Sequence, residues 1–524
     1  MNREEQLLQL SNCDQWDFIV IGGGASGLGA AVDAASRGFK TVLFEGVDFA
    51  KGTSSRSTKL VHGGVRYLAQ GDIGLVREAL KERGVLAQNA GHLFQNQEFV
   101  IPTYSHRQKW FYGIGLKVYD WLSLGWSLGR SRLMGRSQVS KLLPNIRKDG
   151  LNGGVLYRDG QFDDARLALN LAQTAIEAGG TVINYMKVID FLKDDDRKIC
   201  GVRVQDMESG AQHEVRSRVV INATGVFSNK ILKMDDRKAN EIRVVPSQGI
   251  HLVVDASFLG ADQALMIPKT TDGRVLFAIP WHGRTLLGTT DTLIKKPSYE
   301  PEARKEEIDF ILENAGQYLE KAPQRSDVLS VFAGLRPLVA PKKDKENTKE
   351  ISRGHKILTS PSGLITILGG KWTTYRSMGR ELIDKALHIH DLRREPSNSR
   401  QIGIHGNPNG RELPLDPRLR VYGQDAFSIQ EMEKAEPESA QRLHPYYPYT
   451  KAQLIWAVNR EMARTVEDFL ARRIRLLFLD AEAAIQAAPL VSQIMAQQLN
   501  KEQDWVEQQL RDFTKLAKGY QLEH

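Results

Sequence analysis

Residues 17–27 read Asp17-Phe18-Ile19-Val20-Ile21-Gly22-Gly23-Gly24-Ala25-Ser26-Gly27. A β-branched run that stops on glycines, followed by the small-residue stretch 25–37 and Gly38, predicts a strand, a tight turn and a helix. Residues 41–44 supply the next strand, so the structured chain opens with one βαβ unit. In Gly22-x-Gly24-x-x-Gly27 the first glycine permits the turn, the second lets a pyrophosphate approach the backbone, and the third lets the helix pack closely. The helix N-terminus then faces the phosphates. Glu45 ends the second strand eighteen residues after Gly27, where a carboxylate accepts hydrogen bonds from ribose hydroxyls. The fold class is α/β, built on a dinucleotide-binding unit.

Working outward, this first unit alone does not separate NAD from FAD. Residues 219–225 (VVINATG) run from a strand into an Ala-Thr-Gly turn. Ala223 and Gly225 there offer a second approach to the dinucleotide, as is usual in flavoproteins with two dinucleotide folds; a plain buried strand fits equally well. A helix over 166–178 stops at Gly179-Gly180 and leads to a strand over 181–184, after which the backbone of Val188 is placed to touch adenine. Residues 202–204 give a further strand. Strands over 275–279 and 285–287 belong to a second, mixed sheet. Beyond Pro448, Leu454, Ile455, Val458, Met462, Val466, Phe469 and Leu470 recur at helical spacing. The expected division is dinucleotide-binding material at 1–94, 161–240 and 346–395, a substrate domain at 95–160 and 241–345, and a helical C-terminal domain at 396–524.

A chain of 524 residues exceeds one ordinary core, and 41% hydrophobic with 26% charged residues is the composition of a soluble fold. No run approaches the roughly 20 apolar residues that span a bilayer. Residues 1–16 are polar and acidic where a secretory signal starts basic and turns apolar, which predicts a cytoplasmic protein. Cys13 and Cys200 have no metal-ligand spacing, and no metal site is expected. A net charge of +8 favours anionic partners, yet the basic residues form no zinc-finger, RNP or basic-zipper pattern, so nucleic acid is not expected.

Residues 52–67 (GTSSRSTKLVHGGVRY) are denser in hydroxyls, glycines and basic groups than a surface loop requires. Together with residues 21–24 they resemble the N-terminal signature of the FAD-dependent glycerol-3-phosphate dehydrogenases. The resemblance continues in order through 161–167 (QFDDARL), 279–281 (IPW), 287–291 (LGTTD), 334–338 (GLRPL) and 369–376 (GGKWTTYR). It spans roughly residues 17–376, with a weaker helical match beyond.

That resemblance implies a two-dinucleotide-binding flavoprotein fold with an interleaved mixed-sheet substrate domain. It implies FAD as cofactor, and hydride transfer from sn-glycerol 3-phosphate to flavin N5, giving dihydroxyacetone phosphate. Electrons then pass to a membrane quinone or, in the oxidase branch, to oxygen. Thr53, Ser54, Ser55, Thr58, Lys59 and Leu60 are expected to line the cofactor, with Gly370 passing close and Thr373 closing its far side. Arg336, Arg353 and Lys371 are the candidate substrate cations, since guanidinium offers phosphate a bidentate fork and lysine a compact charge. His62, near the flavin, and His251, near the substrate, are the candidate catalytic bases; a neutral imidazole can take the hydroxyl proton. The HGG-x-RYL and GGK-x-TTYR motifs argue against an amine or amino-acid oxidase of the same fold.

Two stretches combine apolar and basic residues: 110–133, and 454–479 with Arg464, Arg472, Arg473 and Arg475. Each reads as an interfacial helix or as ordinary packing. Peripheral contact with the inner face of the cell membrane is expected, and a homodimer is compatible with all of these features.

Overall fold

In a computed structural model of the chain, the described residues are 1–64, 72–123, 125–236, 242–341, 354–410, 412–413 and 416–522. The opening unit forms as the glycine spacing dictates. Strand Trp16–Ile21 is buried, helix Ala25–Ser36 follows Gly24, and strand Thr41–Phe44 pairs parallel to the first. Five parallel strands run in the order Ile365–Leu368, Gln212–Asn222, Trp16–Ile21, Thr41–Phe44, Thr181–Ile183. Their near-continuous Val, Ile and Phe content suits a sheet covered on both faces.

Helices Asp164–Glu177 and Tyr375–Ile389 flank Ala25–Ser36. The helix expected over 166–178 starts earlier, because the Asp163 side chain accepts from Arg166 N and caps it. The strand expected over 219–223 is the end of a longer one. The 212–216 half of Gln212–Asn222 pairs antiparallel with Ile199–Asp206, and its second half joins the parallel sheet.

The second sheet is mixed and hinges on two long antiparallel strands, Ile242–Asp255 and Val328–Pro341, paired over nearly their whole length. Arg284–Gly288, Leu276–Trp281, Ala264–Ile267, Phe94–Thr103 and Gly153–Phe162 extend it, and Leu60–Val61 pairs with its far edge. This last pairing brings the hydroxyl-rich loop against both sheets.

The C-terminal part contains helices Asp425–Ala435, Lys451–Arg460, Ala481–Leu499 and Gln503–Lys518, with a small hairpin of Arg442–His444 and Tyr447–Thr450. It shares one apolar core with the second sheet: Leu477, Phe478 and Leu470 pack in the same cluster as Trp281, Leu286 and Phe332. Stretch 454–479 is therefore mostly interior, with Asn459 and Arg460 exposed. Arg472, Arg473 and Arg475 are buried, which sets aside the interfacial reading of that segment.

Candidate active site

A cavity of about 1060 Å³ opens at the carboxyl ends of the parallel strands, where open α/β sheets place their ligands. Ile21 and Gly22, Phe44 and Glu45, Ala223, and Ile367 with Gly369 reach it from four neighbouring strands. The turn requires glycine. Gly22 has φ +111°, and a Cβ there would lie 2.8 Å from the Ala223 carbonyl oxygen. Gly27 does not line the cavity; it is the packing glycine, since a Cβ would sit 1.9 Å from the Gly22 carbonyl oxygen.

Helix Ala25–Ser36 points its N-terminus at this cavity with neither an acidic first turn nor a side chain of its own as cap. Ser54 Oγ accepts from Ala25 N at 3.0 Å instead. Glu45 accepts from Gly23 N at 2.6 Å and Val47 N at 3.0 Å, which fixes the carboxylate on the cavity wall. Burial pushes its carboxyl up, opposed by those two backbone hydrogen bonds. A cradle that a Cβ would fill, an N-terminus facing the space, and a fixed carboxylate together fit the pyrophosphate and ribose of a dinucleotide.

The hydroxyl loop is braced more than its composition suggests. Thr53 Oγ1 donates to the Leu335 carbonyl at 2.6 Å, Trp372 Nε1 donates to the Ser54 carbonyl at 2.8 Å, and Thr58 Oγ1 lies 3.0 Å from His251 Nε2. Thr53, Ser54, Thr58 and Leu60 all line the cavity, joined by Val188, Ala223, Gly225, Gly370 and Thr373.

Ser55 and Lys59 do not line it. Lys59 has φ +63°, and its ammonium turns behind the loop to Asp164 at 2.8 Å and the Ser55 carbonyl at 2.7 Å. A serine- and lysine-rich motif gives no sign of which side chains face inward.

His62, His251, Arg336 and Lys371 also line the cavity. His251 sits on strand Ile242–Asp255 and Arg336 on Val328–Pro341. Arg336 donates to the Gln248 carbonyl at 3.3 Å and to Thr289 Oγ1 at 3.1 Å, and lies 3.6 Å from Asp291. It is an anchored cation on the wall. His251 is buried against Phe332, and Nδ1 has no hydrogen-bond partner among the described residues. Burial, then the charges of Lys59 and Arg336, hold its pKa well below the ordinary value, so the ring is neutral at pH 7. Arg353 and the 65–68 end of the HGG-x-RYL motif lie outside the described residues.

The cavity also takes in residues that no sequence motif marked. Phe227 and Tyr299, with ring centroids 4.3 Å apart, line it beside Lys230, Lys295 and Lys296. Phe227 and Lys230 lie on short helical segments after the Ala-Thr-Gly turn and Lys295, Lys296 and Tyr299 on a distant loop, and only the tertiary fold brings them together. Among the described residues no group of His, Cys, Asp and Glu could hold a metal ion.

A family model described as FAD dependent oxidoreductase matches residues 17–376, and one described as the C-terminal domain of alpha-glycerophosphate oxidase matches residues 415–506. The cradle and the first match define the class: this chain is an FAD-dependent oxidoreductase. The mitochondrial glycerol-3-phosphate dehydrogenase of Homo sapiens is 39% identical over 554 residues, covering 99% of this chain and 76% of that one. The X-ray structure of glycerol-3-phosphate dehydrogenase from Bacillus halodurans complexed with FAD is 30% identical with a TM-score of 0.80, covering 99% of this chain and 97% of that chain. L-alpha-glycerophosphate oxidase from Mycoplasma pneumoniae, 16% identical with a TM-score of 0.56 and covering 74% of this chain and 97% of that one, shares the fold. The chain belongs to the FAD-dependent glycerol-3-phosphate dehydrogenase family.

Proposed function

We propose that the enzyme oxidises sn-glycerol 3-phosphate to dihydroxyacetone phosphate and passes the electrons to a membrane quinone. The observation that supports this best is that Arg336, Lys371 and His251 share one cavity with the Gly22–Glu45 cradle. FAD, when bound, accepts the hydride from carbon 2. Arg336 and Lys371 supply cations to the phosphate dianion, and the bracing of Arg336 by Gln248, Thr289 and Asp291 fixes the direction from which it does so. The neutral imidazole of His251 accepts the hydroxyl proton, and Thr58 orients the ring. His62 faces the same space as a second imidazole.

Helix His106–Leu122 supports peripheral contact with the inner face of the membrane. Trp110, Phe111, Ile114 and Trp121 are 62, 69, 63 and 61% exposed on its outer face, with Arg107 exposed beside them. Among the described residues no helix is long and apolar enough to cross a membrane.

The test is anaerobic. The flavin-loaded protein is mixed with sn-glycerol 3-phosphate and its visible absorbance followed; bleaching is expected, and persistent colour in a fully loaded sample would overturn the substrate. Recovery of colour with a quinone analogue but not on readmitting oxygen is expected; rapid recovery in oxygen alone would make the enzyme an oxidase.

A further inference from the structure

The cofactor-lining loop is held from behind. Thr53, Ser54, Arg56, Ser57, Thr58 and Leu60 line the cavity, whereas the Ser55 carbonyl is held behind the wall by Lys59 and Arg475. On that hidden side stands Arg475, which immediately precedes helix Leu476–Leu479 and is itself in the left-handed region at φ +65°. Its Nη2 donates to the Ser55 carbonyl at 2.6 Å and lies 3.3 Å from Asp164 Oδ1. The other carboxylate oxygen of Asp164 accepts from Ser57 N at 3.0 Å, Ser57 Oγ at 2.7 Å and Lys59 Nζ at 2.8 Å. Arg475 is held in turn by the Ala471 carbonyl at 3.1 Å and by stacking over Phe478 at 4.4 Å. The side chains of Arg475, Asp164 and Lys59 are all sealed from solvent.

We propose that Arg475 is a positioning residue: through Ser55 and Asp164 it sets the loop 53–58, and through Thr58 it sets His251. The proposal gives the C-terminal helical part a task in the reaction, that of holding the hidden side of the flavin loop. Ser55 and Ser57, both held from behind, adjoin Ser54 and Thr58 on the cavity wall, so the two sides of the loop move together. Any relaxation at Ser55 or Ser57 moves Thr58, and the Thr58–His251 contact transmits the shift to the proposed base. Arginine suits the position because its fork engages a carbonyl and a carboxylate together, which an ammonium cannot do in the same geometry. The inference rests on the reading of the cavity as the flavin site.

The experiment compares wild type, Arg475→Met and Arg475→Lys at a temperature where all three are folded. FAD affinity is measured by titrating the apoprotein, and the bleaching rate at saturating FAD and sn-glycerol 3-phosphate. Loss of a charge-assisted hydrogen bond predicts that Arg475→Met weakens FAD binding and slows bleaching by about 10- to 100-fold each, with Arg475→Lys recovering part of both. The Michaelis constant should stay within about 3-fold, because the phosphate cations are untouched. A lowered melting temperature with FAD affinity and bleaching rate unchanged would overturn the proposal, since that is the signature of packing alone. If Arg475→Met does not fold, Asp164→Asn, nearly equal in shape, takes its place with the same expected losses. A wild-type protein that took up no FAD would instead defeat the reading of the cavity, which separates the two failures.

Discussion

Helix His106–Leu122 and stretch 451–479 look alike in composition, each mixing large apolar residues with arginine and lysine, yet the fold turns one outward and the other inward. The difference lies in the partners of the basic groups. Arg472 and Arg473 both reach Asp48, at 2.5 and 2.6 Å, Arg472 also meets Glu467 and Asp468, and Lys51 meets Glu467. Burial pushes the Asp48 carboxyl up, but Arg473 and Arg472 outweigh it and hold it at about 2. Arg107, by contrast, is exposed beside Trp110 and Phe111. An apolar-basic segment becomes core when distant carboxylates are there to meet its cations, and stays at the surface when they are not.

The comparison breaks most directly at Asp48. Asp48→Ala leaves two buried guanidinium groups short of a partner, and should cost about 3–5 kcal/mol of stability, read as a drop in the denaturant midpoint at unchanged slope. A loss under about 1 kcal/mol would mean that the remaining carboxylates suffice and that the inward segment is held by apolar packing instead. On the outer helix the expected pattern is reversed. Trp110→Ser with Trp121→Ser should leave stability within about 0.5 kcal/mol, because both side chains are mostly exposed. Partition onto vesicles containing anionic lipid should nevertheless fall by roughly 10- to 100-fold, from the apolar area withheld from the interface. Unchanged partition would move the membrane contact to another face of the molecule.

What the sequence made legible follows the same division between local and distant. The βαβ unit, Gly22, Gly24 and Gly27, and Glu45 could be read directly, because strand, turn and helix lie within thirty residues and each glycine answers a local steric need. Arg336 and Lys371 were found through ordered motifs and His251 through the family resemblance, and all three line one cavity. The inward or outward sense of loop 53–60 was not legible, since the left-handed turn at Lys59 that sends its ammonium behind the wall leaves no mark in composition. The pairing of Asp164 with Arg475 and of Asp48 with Arg473 spans more than three hundred residues. Such pairs depend on how the C-terminal helices seat against the flavin domain, which no local pattern records.

A smaller effect sharpens the same contrast between pinned and unpinned charge. Arginine pins hold at any accessible pH, but the flavin domain and the C-terminal part are also joined by a histidine. His405 Nδ1 lies 2.5 Å from Glu177, and Nε2 lies 2.8 Å from Asp425. Burial would lower its pKa, yet the hydrogen bonds it donates to Asp425 and Glu177 outweigh this and raise it to about 9. A group whose folded value is raised binds its proton more tightly in the native state, so its stabilisation is complete below the unfolded value near ~6.5 and is lost as pH climbs through about 9. Because Glu177 is half exposed, screening reduces the effect to about 1 kcal/mol. Unfolding midpoints at pH 6 and pH 9.5 should therefore converge for wild type and His405→Gln at the higher pH and separate at the lower. Midpoints equally far apart at both values would show that the imidazole acts here by shape, leaving the arginine cluster around Asp48 as the charge-dependent join between the two parts.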